Sequence, residues 1–133
     1  MITKLESKNL NYLPPDRDCF SLYASFYRNT LSMSRHGFLH SLEDAWLALC
    51  SDAGAWYVRG IGIWIIQCKS THQLLGTAGF WQPKSKARVF ELDLLPYMVD
   101  YTTRQEIVQT LINYHNEKFC RSEFCVQNVA EYL

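Results

Sequence analysis

Residues 60–81 read GIGIWIIQCKSTHQLLGTAGFW, and the fold turns on them. The run at 60–69 is rich in β-branched and aromatic residues, and the run at 74–81 is apolar again. Between them lies a polar turn, Ser70-Thr71-His72-Gln73. Two such runs joined by a short polar connection predict an antiparallel hairpin. Trp64 and Cys68 are expected in its core, and His72 is expected to be exposed in the turn. Gly76 and Gly79 interrupt the second strand. Glycine inside a strand marks a bulge or the close approach of another backbone.

Downstream, Lys84 to Lys86 reads as a solvated turn. Arg88 to Leu95 reads as a third strand of the same sheet, ended by Pro96, which cannot donate to a ladder. Thr102 or Thr103 is expected to cap a helix, with Glu106 near its first turn. Ile107, Leu111, Ile112 and Tyr114 supply its apolar side, through about Phe119; His115 reads as surface or packing. Phe124 to Val129 is a last short strand candidate. Upstream, Ser41 and Asp44 have the spacing of a capping arrangement, so Ser41 starts a helix. Trp46, Leu49, Cys50 and Ala53 mark its expected buried side, and Gly60 is its natural stop after Arg59. Before it, Asp16 or Asp18 caps a helix whose Phe20, Tyr23, Phe26 and Tyr27 share one face. Ser34 to His40 is a loop. Leu5 to Leu13 is one extended segment closed by Pro14-Pro15. The predicted order is β-α-α-β-β-β-α-β, a mixed α/β (α+β) sheet.

Composition bounds what such a fold can do. The 133 residues fit one domain spanning 1–133, and 48% of them are hydrophobic, which argues against a disordered chain. The 13 Lys+Arg balance 13 Asp+Glu. That zero net charge argues against nucleic acid as a partner, whose binding rests on an excess of cations. The 5 cysteines, at 19, 50, 68, 120 and 125, include no C-x-x-C pair and form no four-ligand cluster, so neither a metal site nor a disulfide framework is expected. The N-terminus has no apolar core of a signal peptide, and the longest apolar run, Ile61 to Ile66, is too short to span a bilayer. The expectation is a cytoplasmic, reducing environment and no membrane. No G-x-S-x-G, P-loop or H-E-x-x-H is present.

Several stretches together resemble the GNAT superfamily, the acyl-CoA-dependent N-acetyltransferases, in its ribosomal-protein N-acetyltransferase branch. They are SLEDAWLAL at 41–49, RGIGIWIIQCKSTHQLLGTAGFW at 59–81 and FELDLLP at 90–96. More weakly, TTRQEIVQTLINYHNEKF at 102–119 and FCVQNVA at 124–130 follow the same plan. The resemblance covers nearly the whole chain. It implies a mixed, mostly antiparallel central sheet flanked by helices, with acetyl-CoA in the gap where the fourth strand splays from the fifth. The family's pyrophosphate rests on amides of a Gly-rich turn at the next helix, a helix-terminus anion site. Here that turn is shortened and degenerate: Pro96 to Thr103 contains no Gly and carries Asp100. The cofactor residues that the resemblance implies are Leu94, Leu95, Tyr101, Thr102, Thr103 and Arg104. The family's last helix and two strands are expected to be missing, which would expose a sheet edge that a homodimer covers.

Acetyl transfer to an amine needs a base for the ammonium proton. Glu91 and Asp93 alternate on the third strand of the hairpin sheet, so they share a face. Either is a candidate base; the other reading is a solvated strand face. His36 and His40, in the loop that borders the family's acceptor site, and Trp81 are candidate substrate contacts. Two functions stand open: an N-acetyltransferase acting on an amine, whether a protein N-terminus or a small molecule, and an inactive GNAT-like module that binds or dimerises without acyl-CoA.

Overall fold

The computed structural model describes residues 5–28, 41–81, 88–94, 99–118 and 126–127. Six strands form one sheet in the spatial order β1 to β6. They are β1 (Leu5–Glu6), β2 (Leu10–Leu13), β3 (Ile63–Cys68), β4 (Leu74–Trp81), β5 (Arg88–Leu94) and β6 (Val126–Gln127). Helices α1 (Phe20–Arg28) and α2 (Leu42–Arg59) lie between β2 and β3, and α3 (Tyr101–Lys118) follows β5. All neighbouring pairs are antiparallel except β5 with β6. The mixed α+β sheet is therefore as the sequence led one to expect, with one correction. The extended segment at Leu5 to Leu13 is two strands joined by a turn. Glu106 of α3 holds that turn: its carboxylate accepts from the Asn9 backbone N–H at 2.9 Å, the Asn9 side chain at 2.8 Å and the Ser7 hydroxyl. A long-range contact of this kind is invisible to local pattern.

Register assigns the two faces of the sheet. Trp64, Ile66, Ala78, Phe80, Phe90 and Leu92 point towards α3, where they pack with Ile107, Val108 and Leu111. Trp64 is fully buried and makes edge-to-face contacts with Trp56 and Tyr114 at 4.8 and 5.0 Å. His115 is also buried, packed on Phe80 at 4.9 Å. The opposite face packs on α1 and α2, where Ile65 meets Leu22, Tyr23, Ala45, Ala48 and Leu49.

The hairpin of β3 and β4 forms as its sequence requires, and both glycines have the uses foreseen. The pairing shifts register between Ile66 and Gln67, opposite Gly76, whose φ is 158°. At Gly79 a Cβ would stand 2.2 Å from the Gly62 carbonyl oxygen and 2.8 Å from Ile63 Cα. Only a residue without a side chain admits that approach, which brings the Phe80 N–H to 3.0 Å from the same carbonyl.

Helix α2 starts where expected: Ser41 caps it, its hydroxyl accepting from the Asp44 N–H at 3.1 Å. It stops at Gly60, whose φ of 73° is the left-handed C-terminal conformation. Its buried side differs from the prediction. Ala45, Ala48, Leu49, Asp52 and Trp56 face inward, whereas Trp46 and Cys50 are exposed and Ala53 is half-buried. Small alanines bring α2 close to its neighbours, and Asp52 is tolerated inside because the Tyr23 hydroxyl of α1 donates to its carboxylate. Asp16 caps the 3-10 turn Arg17–Cys19 that leads into α1. Cys68 is half-exposed rather than core, because the chain leaves the sheet there; its sulfur lies 3.2 Å from the Ser70 hydroxyl. Hydrogen bonds from Ser70 and Thr71 hold its thiol down at about 7. Phe26, Tyr27, Ser34 to His40 and Lys84 to Lys86 have side chains or positions outside the described residues.

Candidate active site

The candidate site is built from β5 and the start of α3. Strand pairing puts Gly79 opposite Glu91 and Thr77 opposite Asp93. Because it alternates with the buried Phe90 and Leu92, Glu91 lies on the α1–α2 face of the sheet, while the Asp93 side chain lies outside the described residues. Glu91 is half-buried, beside a glycine that offers no side chain. Thr77 is fully buried, and its hydroxyl has no hydrogen-bond partner among the described residues. Trp81 lies on the same face at the end of β4, half-buried, with the Arg59 guanidinium 5.1 Å from its ring centre. A half-buried carboxylate, a buried unpaired hydroxyl and an aromatic ring thus share one face of the sheet.

On its other side β5 pairs with β6 only at Arg88 and Val89 among the described residues. Leu94 is buried on the α3 side, and Leu95 lies outside the described residues.

The start of α3 corrects a sequence expectation. Neither Thr102 nor Thr103 caps it. The helix begins at Tyr101, and Asp100 is the capping residue: its carboxylate accepts from the Thr103 N–H at 2.8 Å, while its carbonyl accepts from the Arg104 N–H at 3.1 Å. Hydrogen bonds from the Thr103 amide and hydroxyl pull the Asp100 carboxyl below its usual range. It is an ionised anion at the positive end of a helix, the place where such charge is stabilised. The amides of Tyr101 and Thr102 have no intrahelical acceptor. Tyr101, Thr102 and Arg104 are exposed, and Thr103 is half-buried. The Asp100 carboxylate thus already occupies the amide end of this helix, where a second anion would meet its charge.

Glu91 therefore shares a face with Trp81, while Tyr101 to Arg104 form the first turn of α3. His36 and His40 lie outside the described residues. Sequence reasoning missed Asp100 as the cap and Thr77 as a buried hydroxyl. The first had a local signal, an Asp three residues before a Thr at a helix start. The second had none, since only packing decides that a strand threonine is buried.

No family model matches the sequence, and no curated protein matches it. Solved structures do. A GNAT-family acetyltransferase from Bordetella pertussis superposes with a TM-score of 0.77 at 18% identity, over 98% of this chain and 83% of that one. The chain has the fold of the GNAT acetyltransferases. A Salmonella typhimurium acetyltransferase that modifies the N-terminal serine of ribosomal protein L7/L12 superposes at 0.71 and 13% identity, over 95% of this chain and 78% of that one. The microcin C7 self-immunity acetyltransferase MccE, solved with acetyl-CoA and AMP, does so at 0.70 and 15%, over 94% and 74%. Among the described residues no helix is long and apolar enough to cross a membrane, and no cluster of His, Cys, Asp or Glu is suited to a metal.

Proposed function

We propose that this chain is an acetyl-CoA-dependent N-acetyltransferase acting on an amine, a protein N-terminus or a small molecule. One observation supports the reading: in a GNAT fold, β5 carries Glu91 on the α1–α2 face, and α3 opens with the Tyr101 and Thr102 amides, which have no acceptor within the helix. Bound acyl-CoA would supply an activated acyl group as a thioester. Glu91 takes the ammonium proton of the acceptor, directly or through a water, and so frees the nitrogen lone pair. Asp93, two residues along β5, is the second acidic candidate. The amides of Tyr101 and Thr102, the hydroxyls of Thr102 and Thr103 and the Arg104 guanidinium hold the diphosphate. Trp81 supplies an apolar wall for the acceptor. The alternative of an inactive module finds no support among the solved relatives.

The test is acetyl-CoA itself. A ligand of the native state raises the melting temperature once its concentration far exceeds its dissociation constant. The expected result is a thermal shift with acetyl-CoA, and release of free thiol from it when an amine panel is supplied. Glu91→Gln should keep the shift and lose the turnover. No shift at millimolar acetyl-CoA overturns the reading.

A further inference from the structure

We propose that the face carrying Glu91 takes a zwitterionic amine, and that Arg59 selects this acceptor by its anionic group. The inference rests on the acetyltransferase reading and names the class of acceptor. Arg59 is the last residue of α2, and Gly60, in its left-handed conformation, turns the chain there towards β3. The Arg59 guanidinium lies 5.1 Å from the centre of the Trp81 ring. Arg59 is exposed and makes no ion pair among the described residues. Its fork of N–H donors is therefore open to an anion.

Topology sets two opposite charges on either side of an indole. Trp81 stands at the end of β4, opposite Val89 of β5, and Gly79 stands opposite Glu91. Trp81 and Glu91 are therefore diagonal neighbours on one face, roughly 7–8 Å apart and within reach of long side chains. Arg59 comes from the other side of β4. The chain runs from it through Gly60 and Gly62 into β3, and the Gly62 carbonyl accepts the Phe80 N–H at 3.0 Å, next to Trp81. Across the face the order is thus a carboxylate, a half-buried ring and a cation.

Each of these groups has a counterpart on a zwitterion. Glu91 receives the ammonium whose proton it takes, and the Trp81 ring covers the methylenes. The guanidinium binds a carboxylate or a phosphate, whose paired oxygens match its planar fork. With the ring between the charges, the ammonium and the anion stand several bonds apart, as in an ω-amino acid rather than an α-amino acid. Arg59 has two plainer roles, a cation at the C-terminal end of a helix and a cation beside a ring. Both need only its charge, and neither makes activity depend on the charge of the acceptor.

A panel of amines, supplied with acetyl-CoA, tests this. It holds ω-amino carboxylates of increasing length, aminoalkyl phosphates, uncharged alkylamines and a neutral peptide with a free N-terminus. The expected result is a KM for the anionic amines roughly tenfold below that of alkylamines of equal length, a gap that narrows at high salt. Arg59→Gln should raise the KM of the anionic amines by a like factor, spare their kcat and leave the alkylamines unmoved. Arg59→Lys should keep part of the preference. Preference for either anion supports the proposal, and the two arms tell which one the site favours. Alkylamines or the neutral peptide used as well as the zwitterions overturn it, and so does an Arg59→Gln variant that slows every amine alike. In both of those cases turnover persists and the acetyltransferase reading survives. If acetyl-CoA gives neither a thermal shift nor turnover with any amine, both fall.

Discussion

Gly79→Ala and Gly54→Ala make the same chemical change and should have opposite effects on stability. At Gly79 the new methyl would stand 2.2 Å from the Gly62 carbonyl oxygen and 2.8 Å from Ile63 Cα. Both are backbone atoms, so no side-chain rotation relieves the overlap. The same carbonyl accepts the Phe80 N–H at 3.0 Å, so moving it away also weakens a hydrogen bond next to the core. Overpacking in a close-packed interior costs typically 1–3 kcal/mol, and a backbone clash belongs at or above the top of that range. A loss of about 3 kcal/mol is a large share of the 5–15 kcal/mol that folded domains possess. For a chain of this length it lowers Tm by about 12 °C. At Gly54 the methyl meets nothing within 4 Å, and the helix gains about 1 kcal/mol. Urea denaturation of the two variants, at a concentration where the chain is monomeric, measures both. A Gly79→Ala variant within 1 kcal/mol of wild type would falsify the tight crossing of β3 and β4.

Other substitutions probe the polar groups. Burial pulls the Glu106 carboxyl upward, but hydrogen bonds from Ser7 and Asn9, with the charge of Lys69, outweigh it and leave the group below its usual value of 4.5. A depressed carboxyl stabilises the fold above its unfolded value and loses that contribution as pH falls through the folded one. Glu106→Gln should therefore cost about 1–2 kcal/mol at pH 7, and its urea midpoint should converge on wild type as pH drops below 4.5; a gap independent of pH refutes the linkage. Thr77→Val removes a buried hydroxyl without a partner among the described residues, so stability should hold or rise by about 1 kcal/mol. If acetyl transfer to an amine falls in that variant while its Tm does not, the hydroxyl serves the substrate. Asp100→Asn keeps a capping side chain and removes its charge. Acetyl-CoA affinity by calorimetry should rise several-fold at low salt and converge with wild type at high salt; unchanged affinity places the diphosphate elsewhere.

Much of this molecule was legible in its sequence because local rules suffice where local forces act. The hairpin at 60–81 declared itself through its apolar runs and polar turn. Ser41 and Gly60 bounded α2 through capping chemistry, and Gly76 and Gly79 announced their bulge and close contact. The two-residue period of a strand sets Glu91 apart from its neighbours Phe90 and Leu92. Composition could not choose which side of α2 is buried. Trp46 is more apolar than Ala45 or Ala48, but α2 must approach its neighbours closely, and there small residues win. Asp52 enters the core only because Tyr23, 29 residues earlier, meets it. Glu106 splits the first strand in two from 97 residues away. The start of α3 was misplaced because threonine and aspartate both cap helices, and only the fold shows that Asp100 already holds the amide a diphosphate would seek. The sequence by itself determined the β3–β4 hairpin, strand β5 and both ends of α2, all set by period, turn and cap. The tertiary structure decided what is buried, what is paired over long distance, and which helix face is left bare, because those outcomes depend on neighbours that the chain brings together only on folding.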